Sequence, residues 1–141
     1  MNDRVCGVVL LRSTGDALLQ LRDNIPEIQD PGLWVFPGGH VDPDETLEAG
    51  AHREFIEETL YDCAQLHLIA VYRSEEIEYP PGHQVAFFWC LFDEKQTIEC
   101  CEGQELRFVP REKLNGLPVP SYLSRVWDLA LEALARKAIH H

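Results

Sequence analysis

At 141 residues with 45% of them apolar, the chain can build one hydrophobic core but not two, so a single domain spanning 1–141 is expected. A formal charge of −12 excludes sequence-independent binding to a nucleic acid polymer, which needs a basic surface to displace counterions. No run approaches the roughly 20 apolar residues that cross a bilayer, and the apolar stretch 5–11 has no small-residue cleavage site behind it, so a cytoplasmic protein with no membrane partner is expected.

In chain order, residues 5–11 and 17–21 are apolar runs parted by Ser13, Thr14, Gly15 and Asp16, the composition of a tight turn between paired strands. Residues 23–32, rich in proline and carboxylates, predict a surface loop, and 34–36 a short strand. After Pro37, Gly38 and Gly39 a helix is expected, capped by Asp44 or Thr46. Residues 63–72 and 84–92 read as strands around the Pro80, Pro81, Gly82 turn, and 106–109 as a last short strand. Ser121 is the expected cap of a second helix, with Tyr122, Val126, Leu129 and Ala133 facing the core. Hairpins mixed with two helices give an α/β class, with a mixed β-sheet between helices.

Five cysteines without a CxxC pair read as free thiols, the alternative being a strained vicinal disulfide between Cys100 and Cys101 with a redox role. His140 and His141 read as a solvated chain end rather than a metal site.

The first helix breaks its own pattern. At about 100° per residue Leu47, Ala51 and Phe55 form an apolar stripe, yet Glu54 falls beside Leu47, and Glu58 between Leu47 and Ala51. Glu57 flanks them at the i, i+3 position. Carboxylates on a face due for burial need compensation, and a divalent cation with oxygen ligands supplies it. The other reading is a solvated acidic face paired locally with Arg53. Gly38 and Gly39 just upstream allow backbone to approach a ligand, or form an ordinary turn.

Read together, Gly39, Glu45, Arg53, Glu54, Phe55, Glu57 and Glu58 resemble the Nudix (MutT-like) box, Gx5Ex7REUxEExGU with U apolar, here GHVDPDETLEAGAHREFIEETLY. The order of strands and helices around it is similar to that family's α/β/α sandwich. The resemblance implies a Mg2+- or Mn2+-dependent hydrolase that cleaves the phosphoanhydride bond of a nucleoside diphosphate linked to another moiety, such as a (d)NTP or nucleotide sugar. It implies Glu54, Glu57 and Glu58 as metal ligands, the Gly39 carbonyl as a backbone ligand, and an Arg53–Glu45 pair that orients the helix. A distal glutamate often joins the family's site, and Glu102 is the choice over Glu105. One position departs: Leu60 stands where the family has glycine, so altered geometry at the helix end is expected.

Cations bound to these carboxylates would polarise the diphosphate and activate a water, whose proton goes to Glu57 or Glu54. Arg22 is a candidate phosphate contact, and Trp34 and Phe36, with Gly38 and Gly39, candidate substrate contacts; Tyr72, Phe88 and Trp89 offer further flat surfaces, most of them core. Relatives that cleanse oxidised guanine nucleotides tend to carry asparagine where Ser121 stands, which weakens that role here. The expected partner is a small nucleotide-like molecule, and the chain a monomer or homodimer. The rivals are a non-catalytic Nudix-like nucleotide sensor, which usually loses a box glutamate, and a prenyl-diphosphate isomerase with an acid and base outside the box, for which only Cys90 and Glu102 offer themselves.

Overall fold

A computed structural model describes residues 3–139; the expectation for His140 and His141 lies outside them. Among the described residues are seven strands and two α-helices: β1 (Asp3–Leu11), β2 (Ala17–Leu21), β3 (Trp34–Val35), β4 (Gly38–His40), α1 (Leu47–Thr59), β5 (His67–Arg73), β6 (His83–Leu91), β7 (Glu105–Val109) and α2 (Leu123–Ile139). No helix among these residues is long and apolar enough to cross a membrane.

The sheet runs β3-β2-β1-β6-β5, with β4 added to β1 and β7 to β2. β1 and β6 pair in parallel along their whole length, from Asp3↔His83 to Leu11↔Leu91, and the other pairings are antiparallel. Both faces are covered, which is why β1 and β6 read as continuous apolar runs rather than alternating ones. Val5, Val9 and Leu11 join Val85, Phe87 and Trp89 under α2, while Cys6, Val8 and Leu10 join Ala86, Phe88 and Cys90 under α1. The result is an α/β/α sandwich with a mixed sheet.

β1 and β2 part company beyond their hairpin. They pair at Leu11↔Ala17, but farther along β1 turns to β4 at residues 5–7, and β2 pairs with β7 and β3. Gly38 and Gly39, for which the sequence offers close approach to a ligand or an ordinary turn, are strand residues, held by register with Gly7 and Cys6. Glycine is a poor strand former, and here the neighbouring strand overrides its propensity.

Two further expectations are corrected. Residues 63–66 are not strand, although Cys63 and Leu66 are buried under α1; the strand begins at His67. α2 starts at Leu123, past Ser121, and turns Leu123, Val126, Trp127 and Ala130 inward; Tyr122 and Ala133 only flank this core and Leu129 stays partly exposed. Trp127 sets the phase: fully buried, it also donates its Nε1–H to the Gly15 carbonyl at 3.0 Å. All five cysteines are free; Cys63 and Cys90 lie with their sulfurs 3.1 Å apart in the core, and Cys100 and Cys101 are exposed and unbridged.

Candidate active site

α1 enters through Thr46, whose hydroxyl accepts the Ala49 N–H at 3.1 Å, as one of the two expected caps. It ends on Leu60, which takes the left-handed conformation at φ 61° and donates its N–H to the Ile56 carbonyl at 2.8 Å. The expected altered helix end is therefore not found. Leucine adopts the conformation glycine would, at a backbone cost of about 1–2 kcal/mol, and its half-exposed side chain recovers little by packing. The buried Thr59 hydroxyl, bonded to the Phe55 carbonyl at 2.7 Å and accepting the Tyr61 N–H at 3.1 Å, ties the turn down.

Arg53 is the hub of the helix. Its guanidinium grips Glu45 with two bonds, Nε to Oε2 at 2.8 Å and Nη2 to Oε1 at 2.9 Å, and also donates to the His40 carbonyl at 3.0 Å. The bonds from Arg53, seconded by the Asp42 N–H, push the Glu45 carboxyl down to about 2. The remaining nitrogen, Nη1, reaches Glu54 at 3.0 Å and Glu57 at 3.2 Å. The expected Arg53–Glu45 pair is present, and Arg53 also holds two of the expected metal ligands.

Glu58 lies deepest, 3% exposed. It accepts from Gln20 Nε2 at 2.9 Å and from the Gly38 N–H. Its carboxyl is nevertheless pushed up to about 8, first by burial, then by the charges of Glu102 and Glu54. Burial likewise raises Glu54. Gly39 fits against Glu54 so closely that a Cβ there would fall on the carboxylate, and a Cβ on Gly38 would strike the Cys6 carbonyl. At Gly38, where the obstacle is backbone, only glycine permits this approach of β4 to β1.

These groups line one cleft of about 450 Å³, opened where β1 and β2 diverge. Glu54, Glu57, Glu58, Glu102, Gly38, Gly39, Arg22 and Phe36 all border it. The Glu102 loop is clamped to the end of α1, through Cys101 N–H to the Glu58 carbonyl at 3.0 Å and Gln20 Nε2 to the Glu102 carbonyl at 3.0 Å. Glu105 instead pairs with Arg107 at 2.8 Å on β7. Among the described residues no three acidic, thiol or imidazole side chains converge on one point, and Arg53 pairs with Glu54 and Glu57.

Trp34 must be withdrawn as a substrate contact. It is 6% exposed, packed in the core under α2 with Arg107 over its ring, and is absent from the cleft wall. Tyr72, Phe88 and Trp89 are also core, and Ser121 is exposed outside the cleft while its neighbour Tyr122 lines it. Sequence reasoning missed Cys6, Gln20, Gln29, Asp30, Tyr79 and Tyr122, which all border the cleft. Gln20 alone left a signal, a lone amide in the apolar run ALLQL. The Cys6 thiol donates to the Gly39 carbonyl at 3.4 Å and is pushed up to about 12 by burial.

The NUDIX domain family matches residues 1–126. A curated Bacillus subtilis protein named "Putative 8-oxo-dGTP diphosphatase" is 31% identical over 121 residues, covering 86% of this chain and 75% of that protein. Among solved structures, the NUDIX domain of Shewanella oneidensis NrtR complexed with ADP ribose superposes with a TM-score of 0.77 at 20% identity, over 95% of this chain and 89% of that one. A MutT protein from Methanosarcina mazei does so with a TM-score of 0.73 at 23% identity, over 96% and 94%. Nudix hydrolases generally use divalent metals, and with Glu54, Glu57 and Glu58 on α1 and Glu45 just before it the chain belongs to the Nudix family as a pyrophosphohydrolase acting on phosphorus-containing anhydrides.

Proposed function

We propose that the protein is a Mg2+- or Mn2+-dependent hydrolase of a nucleoside diphosphate linked to another moiety, such as a (d)NTP or a nucleotide sugar, and that Glu58 is its central metal ligand. The observation that carries this reading is Glu58 itself, a buried carboxylate whose ionisation is opposed by Glu102 and Glu54 across one cleft. A divalent cation relieves that opposition, and the donor set of hard oxygens suits it. Glu54, Glu57, Glu58 and Glu102, with the Gly39 carbonyl, would hold it. Bound there, a divalent metal would supply charge neutralisation of the diphosphate and activation of a water at neutral pH.

The chain's own residues do the positioning. Arg53 and Glu45 fix the axial rotation of α1, so that its carboxylates face the cleft. Gln20 holds one Glu58 oxygen and leaves the other for the metal. The proton of the attacking water passes to a carboxylate of the Glu54–Glu57 pair. Arg22 donates to the substrate, and Phe36 walls the cleft beside it. The name carried by the Bacillus subtilis relative makes oxidised guanine nucleotides one member of the class to be assayed.

Glu58→Gln is expected to lower metal-dependent release of phosphate or pyrophosphate by at least about a thousandfold while the melting profile shows a folded protein. Assays across nucleoside triphosphates, nucleotide sugars and dinucleoside polyphosphates, with products identified, name the substrate. Full activity of Glu58→Gln, or of the wild type in excess EDTA, overturns the reading.

A further inference from the structure

The half of the cleft away from the carboxylates has no part in the hydrolytic chemistry, and there the chain leaves its polar groups least satisfied. Arg22, Gln29, Asp30, Tyr79 and Tyr122 line it. The Arg22 Nε is buried with no acceptor. Asp30 is half-buried and held at φ 53°, a left-handed conformation that aspartate adopts more readily than most residues. Gln29 donates its Nε2–H to Asp30 Oδ1 at 3.1 Å. That bond leaves Asp30 Oδ2 and Gln29 Oε1 as acceptors that no other described residue engages. Tyr79 and Tyr122 supply aromatic surface beside them.

A buried donor without a partner, beside two acceptors that no described residue engages, is an arrangement that a ligand with the opposite pattern completes. We infer that Asp30, seconded by Gln29, is a specificity-determining residue that accepts two adjacent N–H donors from the edge of a flat heterocycle, and that it selects guanine among the common bases. Guanine alone of these carries a ring N–H next to an exocyclic amine. Adenine and cytosine set their amine beside a ring nitrogen that is itself an acceptor. Uracil and thymine place their N–H between two carbonyls, whose lone pairs would face the carboxylate. The guanine carbonyl beside the ring N–H matches the remaining element, the Arg22 donor, which is thereby assigned to the base rather than to phosphate. This inference rests on the nucleotide reading of the same cleft.

The test is calorimetric titration of wild type, Asp30→Asn and Asp30→Gly with the 5′-monophosphates of guanosine, adenosine and xanthosine. Asparagine and glycine both accept the positive φ, so the loop keeps its shape in either variant. Wild type is expected to bind the guanosine nucleotide at least about tenfold tighter than the adenosine nucleotide. Asp30→Asn should lose that preference and gain for xanthosine monophosphate, whose second carbonyl meets the amide. Asp30→Gly should lose the preference with no such gain. Equal guanosine and adenosine affinities in wild type, absence of binding to all three, or an unchanged preference in Asp30→Asn overturns the inference. Monophosphate binding requires no hydrolysis, so a failed assay with Glu58→Gln discredits the hydrolytic reading, whereas the base preference decides the role of Asp30.

Discussion

The two ends of the cleft are built on opposite terms. At the α1 end nearly every polar group is tied: Glu45 to Arg53, Arg53 to Glu54 and Glu57, Glu58 to Gln20 and the Gly38 amide, the Glu102 loop to the last turn of the helix. At the Asp30 end a buried guanidinium nitrogen has no acceptor, and the one bond between Gln29 and Asp30 leaves their other oxygens idle. Groups that must hold a reaction geometry are fixed before substrate arrives, because reorganising them during the reaction would add to the barrier. Groups that must discriminate are left to be completed by the ligand, because an unmet donor or acceptor is what rejects the wrong one.

The sharpest way to break the comparison is to loosen the tied end without removing charge. Arg53→Lys keeps the cation but cannot grip Glu45 with two parallel bonds. A fall of about 10- to 100-fold in kcat/KM is expected, with base preference unmoved, and steady-state kinetics on two nucleotides check both. Wild-type kinetics in that variant would show that the pair is an ordinary surface contact.

Next in size is a pH effect confined to the tied end. The Glu58 carboxyl sits near 8 in the folded, metal-free protein, above its unfolded value of 4.5. The folded state therefore binds the extra proton, so the contribution of Glu58 to metal-free stability is fullest below about 4.5 and is lost as pH rises through about 8. Metal needs the deprotonated carboxylate, so its apparent affinity should weaken by about tenfold per unit as pH falls below that value. Melting temperature against pH, in EDTA and in saturating Mg2+, reads both slopes. Parallel curves would mean that proton and metal do not compete at Glu58.

The smallest expected effect isolates backbone strain from chemistry. Leu60→Gly removes the cost of a left-handed leucine and should raise stability by about 1 kcal/mol, visible as a shift in the denaturation midpoint, with kcat unchanged. A loss of activity would show that the leucine side chain contributes to the site after all.

What sequence could and could not reveal divides along similar lines. The core strands were legible because both faces of the sheet are covered, so residues 5–11 and 85–91 are unbroken apolar runs. The acidic helix was legible because Glu54 and Glu58 contradict its apolar stripe, and Arg53 and Glu45 fall where a fixed spacing puts them. β4 was not, since Gly38 and Gly39 have no strand propensity and are strand only through their register with β1. Trp34 misled because aromatic character alone does not separate a stacking surface from core, and its ring packs under α2 with Arg107 over it. Asp30, Tyr79 and Tyr122 sit in three separate connections that meet only where β1 and β2 diverge, and no local pattern announces such a meeting.

The reach of Arg53 has a consequence for how the acidic helix stands before any metal arrives. Its third nitrogen lies between Glu54 and Glu57, while the other two stay on Glu45 and the His40 carbonyl. The guanidinium is a resident counter-ion, lent to two ligands and anchored elsewhere. Loading a divalent ion on those two, as proposed, would exchange one positive charge for another rather than neutralise bare repulsion. On the proposed reading, assembly of the helix and occupancy of the site would be separate events, and a chelator is expected to silence the enzyme while leaving it folded.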